Sequence, residues 1–109
     1  MNLNSLLEQA KIAASMASEE ILKVYHSGDF EIEAKDDQSP LTRADQAAHQ
    51  VIAAILEKTG IPILSEEGTQ IPFSQRKNWE TFWMIDPLDG TKEFIKRNGE
   101  FTVNIALIH

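Results

Sequence analysis

Residues 83–94, WMIDPLDGTKEF, form the stretch around which the rest of the chain is organised. The apolar residues at 82–85 predict a short buried strand with Asp86 at its end. Pro87 fixes its own φ and favours an extended conformation at Asp86, so we expect the strand to stop there. Asp89 follows three residues later, beside a glycine and the predicted start of a helix. Two carboxylates on a stiff turn at a helix N-terminus suit Mg²⁺ and phosphate, because Mg²⁺ prefers oxygen ligands and the first helical N–H groups are unpaired.

By itself, DPLDG at 86–90 would be an ordinary turn in most proteins, since Asp, Pro and Gly are common turn residues. The longer match is more specific. WMIDPLDGT at 83–91 resembles the signature of the lithium-sensitive, Mg²⁺-dependent phosphatase superfamily, which includes inositol monophosphatases, fructose bisphosphatases and 3'(2'),5'-bisphosphate nucleotidases. The continuation at 92–107, KEFIKRNGEFTVNIAL, resembles the bacterial CysQ branch of the nucleotidases. Inositol monophosphatases more often read GTTNF where this chain reads GTKEF at 90–94.

The resemblance implies a Mg²⁺-dependent phosphomonoester hydrolase that uses two or three Mg²⁺ ions. For the CysQ branch the substrate is adenosine 3',5'-bisphosphate, a by-product of sulfate assimilation, which is converted to AMP and phosphate. The alternative within enzymes is an inositol monophosphatase. An alternative of a different class is a non-catalytic Mg²⁺- or phosphate-binding interaction module. The presence of Glu66, Asp86, Asp89 and Thr91 together argues against it, because such a module does not need the whole set.

The resemblance also implies a role for each acidic residue near the motif. Asp86 is expected to bridge two metal ions, Glu66 and the backbone carbonyl of Leu88 to complete one metal site, and Asp89 to hold the other ion. Glu66 and Glu67 directly follow a predicted buried strand, which is unusual for a simple turn, although a solvated loop is the alternative. Glu67 is expected to act in catalysis through a water molecule.

Three further positions are implied to contact the attacking water or the phosphate. Thr91, hydrogen-bonded to Asp45, is expected to orient the water and help deprotonate it. The N–H groups of Gly90 and Thr91 are expected to bind phosphate oxygens, since a glycine leaves room for that approach. Lys35, in the polar loop at 35–40, matches a lysine that lies near the metals in the family, although a solvated loop lysine fits the sequence nearly as well.

Apolar residues at three- and four-residue steps predict two amphipathic helices, one over about 3–26 and one over about 41–58. Gly28 and Gly60 are expected to stop them. Thr42 and Asp45 have the spacing of a capping box, and capping alone explains that pair. The resemblance adds a catalytic role for Asp45. His49 falls one turn later, and we expect a surface or packing residue because the family uses no histidine there.

The predicted fold class is α+β, the N-terminal portion of the layered α/β/α/β/α sandwich of the inositol-monophosphatase-like superfamily. The two helices are expected to pack on an antiparallel sheet built from segments near 30–34, 62–65, 82–86 and 101–109. Proteins of the resembled family are more than twice as long as these 109 residues. We therefore expect residues 1–109 to be the N-terminal part of a sugar-phosphatase-like domain. Because a further metal-binding aspartate of the family lies far downstream, we expect this part alone to be inactive.

Composition limits the remaining function classes. A net charge of −7 argues against broad nucleic-acid binding, which needs a basic face, and it repels anionic substrates unless cations intervene. The absence of cysteine excludes disulfides and thiolate metal sites. No apolar run approaches the roughly 20 residues that span a bilayer, and the N-terminus lacks signal-peptide features. A cytoplasmic location is the default; some family members lie at the inner membrane, which nothing in this sequence indicates, and the oligomeric state is left open.

Overall fold

A computed structural model of the chain describes residues 2–28, 32–34, 40–65, 71–95 and 101–109. Its regular elements are α1 (Leu3–Ser27), β1 (Glu33–Ala34), β2 (Pro40–Leu41), α2 (Arg43–Leu56), a 3₁₀ turn (Glu57–Thr59), β3 (Ile63–Ser65), α3 (Phe73–Arg76), β4 (Phe82–Asp89), α4 (Thr91–Ile95) and β5 (Thr102–Ile108). The predicted α+β class is confirmed, because α1 and α2 pack against a three-stranded sheet in the order β3-β4-β5. None of the helices within these described ranges is long and apolar enough to cross a membrane.

The first long helix has the predicted bounds to within one residue, whereas α2 begins two residues later than predicted, at Arg43, because Leu41 lies in β2 and Thr42 is the N-cap. The side chain of Asn2 accepts a hydrogen bond from the Ser5 N–H at 3.1 Å and caps α1, and Gly28 closes it with a φ of 75°. α2 passes into the 3₁₀ turn, which Gly60 ends with a φ of 73°. Only glycine adopts this left-handed conformation without strain, so both helices stop at the predicted residues.

The core lies between the helix pair and one face of the sheet. Small alanines on both helices let their backbones approach closely, and larger side chains from the sheet fill the remaining space. The buried hydrophobic residues are Ala13, Ala17, Ile21, Val24, Ala44, Ala48, Ile52, Leu56, Trp83, Ile85 and Leu88. The apolar stripes predicted for the helices are therefore the faces that contact each other and the sheet.

The predicted antiparallel sheet is wrong in two respects. β3 pairs with β4 in parallel, with Ser65 opposite Ile85, and only β4 and β5 are antiparallel. β1 lies outside this sheet and pairs with β2 in a separate two-stranded ladder. Parallel neighbours need a crossover connection of about a dozen residues or more, and residues 66–81 between β3 and β4 provide that length.

Candidate metal and phosphate site

The acidic residues of the motif lie at a β-bulge in β4. Asp86 pairs with Asn104 and Asp89 pairs with Thr102, so three steps along β4 match two steps along β5. The extra residue falls at Pro87–Leu88, where Pro87 has no N–H to donate to the ladder. The sequence predicts that the strand ends at Asp86; instead it is interrupted there and pairs again at Asp89.

The bulge brings the two carboxylates to one side of the strand. In a regular strand, residues three apart point to opposite faces. Here Asp86 and Asp89 are the partners of Asn104 and Thr102, which are two apart and therefore share a face. Consistently, the Asn104 Nδ2 donates to Thr102 Oγ1 at 3.1 Å.

The burial of the β4 side chains agrees with this shift in the alternation of the strand. Pro87 and Leu88 are buried in succession, whereas Asp86 is half-buried and Asp89 is exposed. A strict alternation would have buried one of the two acidic residues. The bulge is therefore what allows a D-x-x-D spacing to present both carboxyl groups on the side away from the helices.

Asp45 is fully buried at the start of α2 and uses both of its carboxyl oxygens. Oδ2 accepts hydrogen bonds from the Thr42 N–H at 2.8 Å and from Thr42 Oγ1 at 2.6 Å. The Asp45 N–H in turn donates to Thr42 Oγ1 at 3.4 Å, which completes the capping box. Oδ1 accepts a hydrogen bond of 2.9 Å from Thr91 Oγ1. The two interpretations of Asp45 are thus compatible, because one oxygen caps the helix while the other contacts the motif.

Thr91 begins α4 directly after Gly90. Its hydroxyl also lies 3.3 Å from the backbone carbonyl of Leu88, so it touches both Asp45 and the end of β4. Gly90 has a φ of 92°, a left-handed conformation that other residues adopt only with strain. The helix start predicted at this point is present, but α4 is only five residues long. Its N-terminus therefore offers few aligned N–H groups.

Three predicted site residues, Lys35, Glu66 and Glu67, lie outside the described ranges. Among the residues that are described, no group of three or more His, Asp or Glu side chains forms a cluster able to hold a metal ion. The structure does bring together Asp45, Thr91 and the Leu88 carbonyl, and it aligns Asp86 with Asp89. The carboxyl groups of Asp86 and Asp89 and the Leu88 carbonyl supply oxygen atoms, the hard ligands that Mg²⁺ prefers, so the chemistry of these three groups fits that ion.

Sequence reasoning missed a contact made by His49. Its Nδ1 lies 3.0 Å from Oγ of Ser65, the last residue of β3. This contact between α2 and the sheet is half-buried. The signal available in the sequence was the four-residue step from Asp45, which places both side chains on the same face of α2.

Known proteins with similar sequences and folds point to a single family. The sequence model that describes the inositol monophosphatase family matches residues 2–109 of this chain. The chain is 51% identical to the 3'(2'),5'-bisphosphate nucleotidase CysQ of Salmonella typhimurium, over 94% of this chain and 43% of that protein. The identity to the CysQ of Escherichia coli K12 is 48%, again over 94% of this chain and 43% of that protein.

Solved structures agree. The crystal structure of CysQ from Bacteroides thetaiotaomicron, described as a bacterial member of the inositol monophosphatase family, matches with a TM-score of 0.82 at 54% identity, over 96% of this chain and 38% of that one. An IMPase of Thermotoga maritima matches with a TM-score of 0.80 at 21% identity, over 96% of this chain and 40% of that one, which shows the shared fold. The chain thus spans about two fifths of the length of these relatives. Since the family model covers nearly the whole sequence, the chain belongs to the inositol monophosphatase family.

Proposed function

We propose that the full-length protein containing this sequence is a Mg²⁺-dependent 3'(2'),5'-bisphosphate nucleotidase that converts adenosine 3',5'-bisphosphate to AMP and phosphate. The observation that carries the proposal is the hydrogen bond from Thr91 to the buried Asp45, beside a strand end that presents two carboxylates. The similarity to CysQ proteins over almost the whole chain supports the choice of substrate.

The proposed metal ligands are Asp86, Asp89, the Leu88 carbonyl and Glu66. Phosphatases of this family depend on Mg²⁺. We propose that the site holds two or three of these ions. When bound, Mg²⁺ lowers the pKa of coordinated water and neutralises charge on the phosphate. Bound cations would also offset the repulsion between a bisphosphate and residues 1–109, whose net charge is −7.

The proposed role of Thr91 follows from its hydrogen bonds. A hydroxyl has one proton to donate and two lone pairs with which to accept. Because Thr91 Oγ1 donates to Asp45 Oδ1, its lone pairs are available to accept a hydrogen bond from a water molecule. As that water attacks phosphorus, its proton can pass to Thr91 Oγ1 while the hydroxyl proton of Thr91 passes to Asp45. The cap interactions with Thr42 hold Asp45 in the orientation that this transfer needs.

Binding of the phosphate is proposed to involve the N–H groups of Gly90 and Thr91, with Lys35 as a further cationic contact and Glu67 acting through water. The positive φ of Gly90 supports this use of the turn, because a backbone free of a side chain permits close approach of a ligand. A cytoplasmic location is part of the proposal; no observation on the described residues supports attachment to a membrane surface.

The experiment is a phosphate-release assay on the full-length protein with Mg²⁺, with and without Li⁺, using adenosine 3',5'-bisphosphate and inositol 1-phosphate in parallel. We expect Mg²⁺-dependent hydrolysis of the nucleotide that Li⁺ inhibits. Hydrolysis of the inositol phosphate alone would instead support an inositol monophosphatase. Binding of Mg²⁺ without hydrolysis of either substrate would support a non-catalytic module.

A further inference from the structure

His49 connects α2 to the sheet at a point close to the proposed site. Its contact with Ser65 joins residues 16 apart in the chain, and the contact is half-buried. Ser65 is the last residue of β3 and pairs with Ile85, which immediately precedes Asp86 in β4. The contact therefore attaches the helix to the strand that lies alongside the proposed metal-binding strand.

Two side-chain hydrogen bonds thus attach the first two turns of α2 to the sheet region. Asp45 in the first turn contacts Thr91, just beyond the carboxyl end of β4. His49, four residues later, contacts the carboxyl end of β3. Residues four apart lie one above the other on a helix face, so the two bonds act on the same side of α2.

The rest of that face contacts its neighbours through apolar side chains, namely Ala48, Ile52 and Leu56. Hydrophobic contacts are strong but not directional, so they resist separation of helix and sheet more than they resist a small slide or rotation. Hydrogen bonds do depend on distance and angle. Among the described residues, Arg43 at the start of α2 donates to Ser27 Oγ in α1. The side-chain hydrogen bonds that restrain the N-terminal half of α2 against the sheet region are those of Asp45 and His49.

We propose that His49 is a positioning residue for the reaction. Its hydrogen bond to Ser65 holds α2 in the register that keeps Asp45 Oδ1 within reach of Thr91 Oγ1. Either neutral tautomer of the imidazole satisfies this role, because the serine hydroxyl both donates and accepts. The kinetic part of this inference depends on the proposed function, whereas the structural part does not.

The test compares His49→Leu, which removes the polar ring, with His49→Asn, whose amide lies near the position of Nδ1. In the full-length protein we expect His49→Leu to lower kcat about tenfold, the factor that corresponds to one lost hydrogen bond, with KM changed less than about twofold. We expect His49→Asn to retain kcat within about threefold of the unsubstituted enzyme. Ser65→Ala should also lower kcat, and the double variant should be no slower than the slower of the two single variants, because the two substitutions share the bond between His49 and Ser65.

A second readout requires no activity. The Gln46 N–H donates to the Thr42 carbonyl in the first turn of α2, and its hydrogen exchange reports how firmly that turn is held. We expect exchange at Gln46 to be about tenfold faster in His49→Leu and Ser65→Ala, and to be restored in His49→Asn. If His49→Leu fails to fold, Ser65→Ala decides the same question.

The kinetic and exchange results distinguish failure of the role given to His49 from failure of the proposed enzymatic function. If the unsubstituted protein releases no phosphate, the proposed function is wrong, and exchange at Gln46 alone decides whether His49 positions α2. Unchanged exchange in both loss-of-contact variants, or equal exchange in His49→Asn and His49→Leu, overturns the inference. In an active enzyme, faster exchange with unchanged kcat also overturns it, because the bond would then be structural only.

Discussion

The Thr91 Oγ1 donates a hydrogen bond of 2.9 Å to Oδ1 of Asp45, a residue 46 positions earlier in the chain. The bond joins the start of α4 to the start of α2, and the carboxyl group that accepts it is fully buried. The second oxygen of the same group caps α2. A single side chain thus combines helix capping with a contact to the motif.

Removal of the Thr91 hydroxyl should impair turnover far more than binding. Thr91→Val has nearly the same shape but donates no hydrogen bond to Asp45. We expect kcat to fall by about 10²–10⁴-fold, the usual contribution of a positioned proton-transfer group, with little change in KM. Thr91→Ser keeps the hydroxyl and should remain active. Steady-state phosphate release from the full-length protein gives both constants, and near-normal kcat in Thr91→Val would contradict the role given to the hydroxyl.

The capping box formed by Thr42 and Asp45 should contribute measurably to the stability of the protein. Thr42→Ala removes the Oγ1 that accepts from the Asp45 N–H and donates to Oδ2, and its cost should be about 0.5–2 kcal/mol in the free energy of unfolding. Thr42→Ser keeps both bonds and is the matched control. Urea unfolding measures the difference. A loss below about 0.3 kcal/mol in Thr42→Ala would show that the capping box contributes little.

The carboxylates at the bulge should govern Mg²⁺ binding rather than folding. Asp86 is half-buried and Asp89 is exposed, so Asp→Asn at either position changes charge with little change in packing. We expect each variant to bind Mg²⁺ at least about tenfold more weakly and to lose most activity, because Mg²⁺ is held by few carboxylates. Glu57→Gln, an exposed substitution in the 3₁₀ turn, controls for the change in net charge. Calorimetric titration with Mg²⁺ makes the comparison, and unaltered affinity in Asp86→Asn would exclude that residue as a ligand.

Gly60 and Gly90, both with a positive φ, should respond differently to alanine. At Gly60, with a φ of 73°, an added Cβ meets no atom within 4 Å, so only backbone strain of about 1–2 kcal/mol is expected. Gly90→Ala carries similar strain at a φ of 92° and also places a methyl group where the phosphate is proposed to approach. We therefore expect similar losses of stability but a raised KM in Gly90→Ala only. Equal KM values in the two variants would argue against phosphate binding at that turn.

The indole of Trp83 should contribute to stability through its N–H as well as its size. Trp83 is 2% exposed, and its Nε1 donates to Thr59 Oγ1 at 3.1 Å. Trp83→Phe removes this donor and part of the ring, so we expect a loss of about 1–3 kcal/mol. Thr59→Ser keeps the accepting hydroxyl and should cost much less. Thermal or urea unfolding of the full-length protein measures both, and an unchanged midpoint for Trp83→Phe would contradict the expected contribution.

Much of the local structure could be predicted from the residues alone, since it depends on neighbours in the sequence. The helix periodicity, the Thr42–Asp45 capping box and the stops at Gly28 and Gly60 are interactions within a few residues. The DPLDGT motif is equally local, and its resemblance to the phosphatase superfamily led to the family that the comparisons confirm. Even the contact between Thr91 and Asp45 was expected, although only through that resemblance.

The remaining features depend on which segments meet in space. The parallel pairing of β3 with β4 depends on the path of the connection between them. The bulge in β4 is defined only by its register with β5, in which Asp86 and Asp89 are paired with Asn104 and Thr102. The hydrogen bond between His49 and Ser65 likewise requires α2 to lie on the end of β3. The sequence by itself thus determined the helices, their caps and the acidic motif, because these need only local interactions. Tertiary structure decided which faces the acidic side chains share and which elements hold Asp45 in place, because long-range register is set by packing between distant segments.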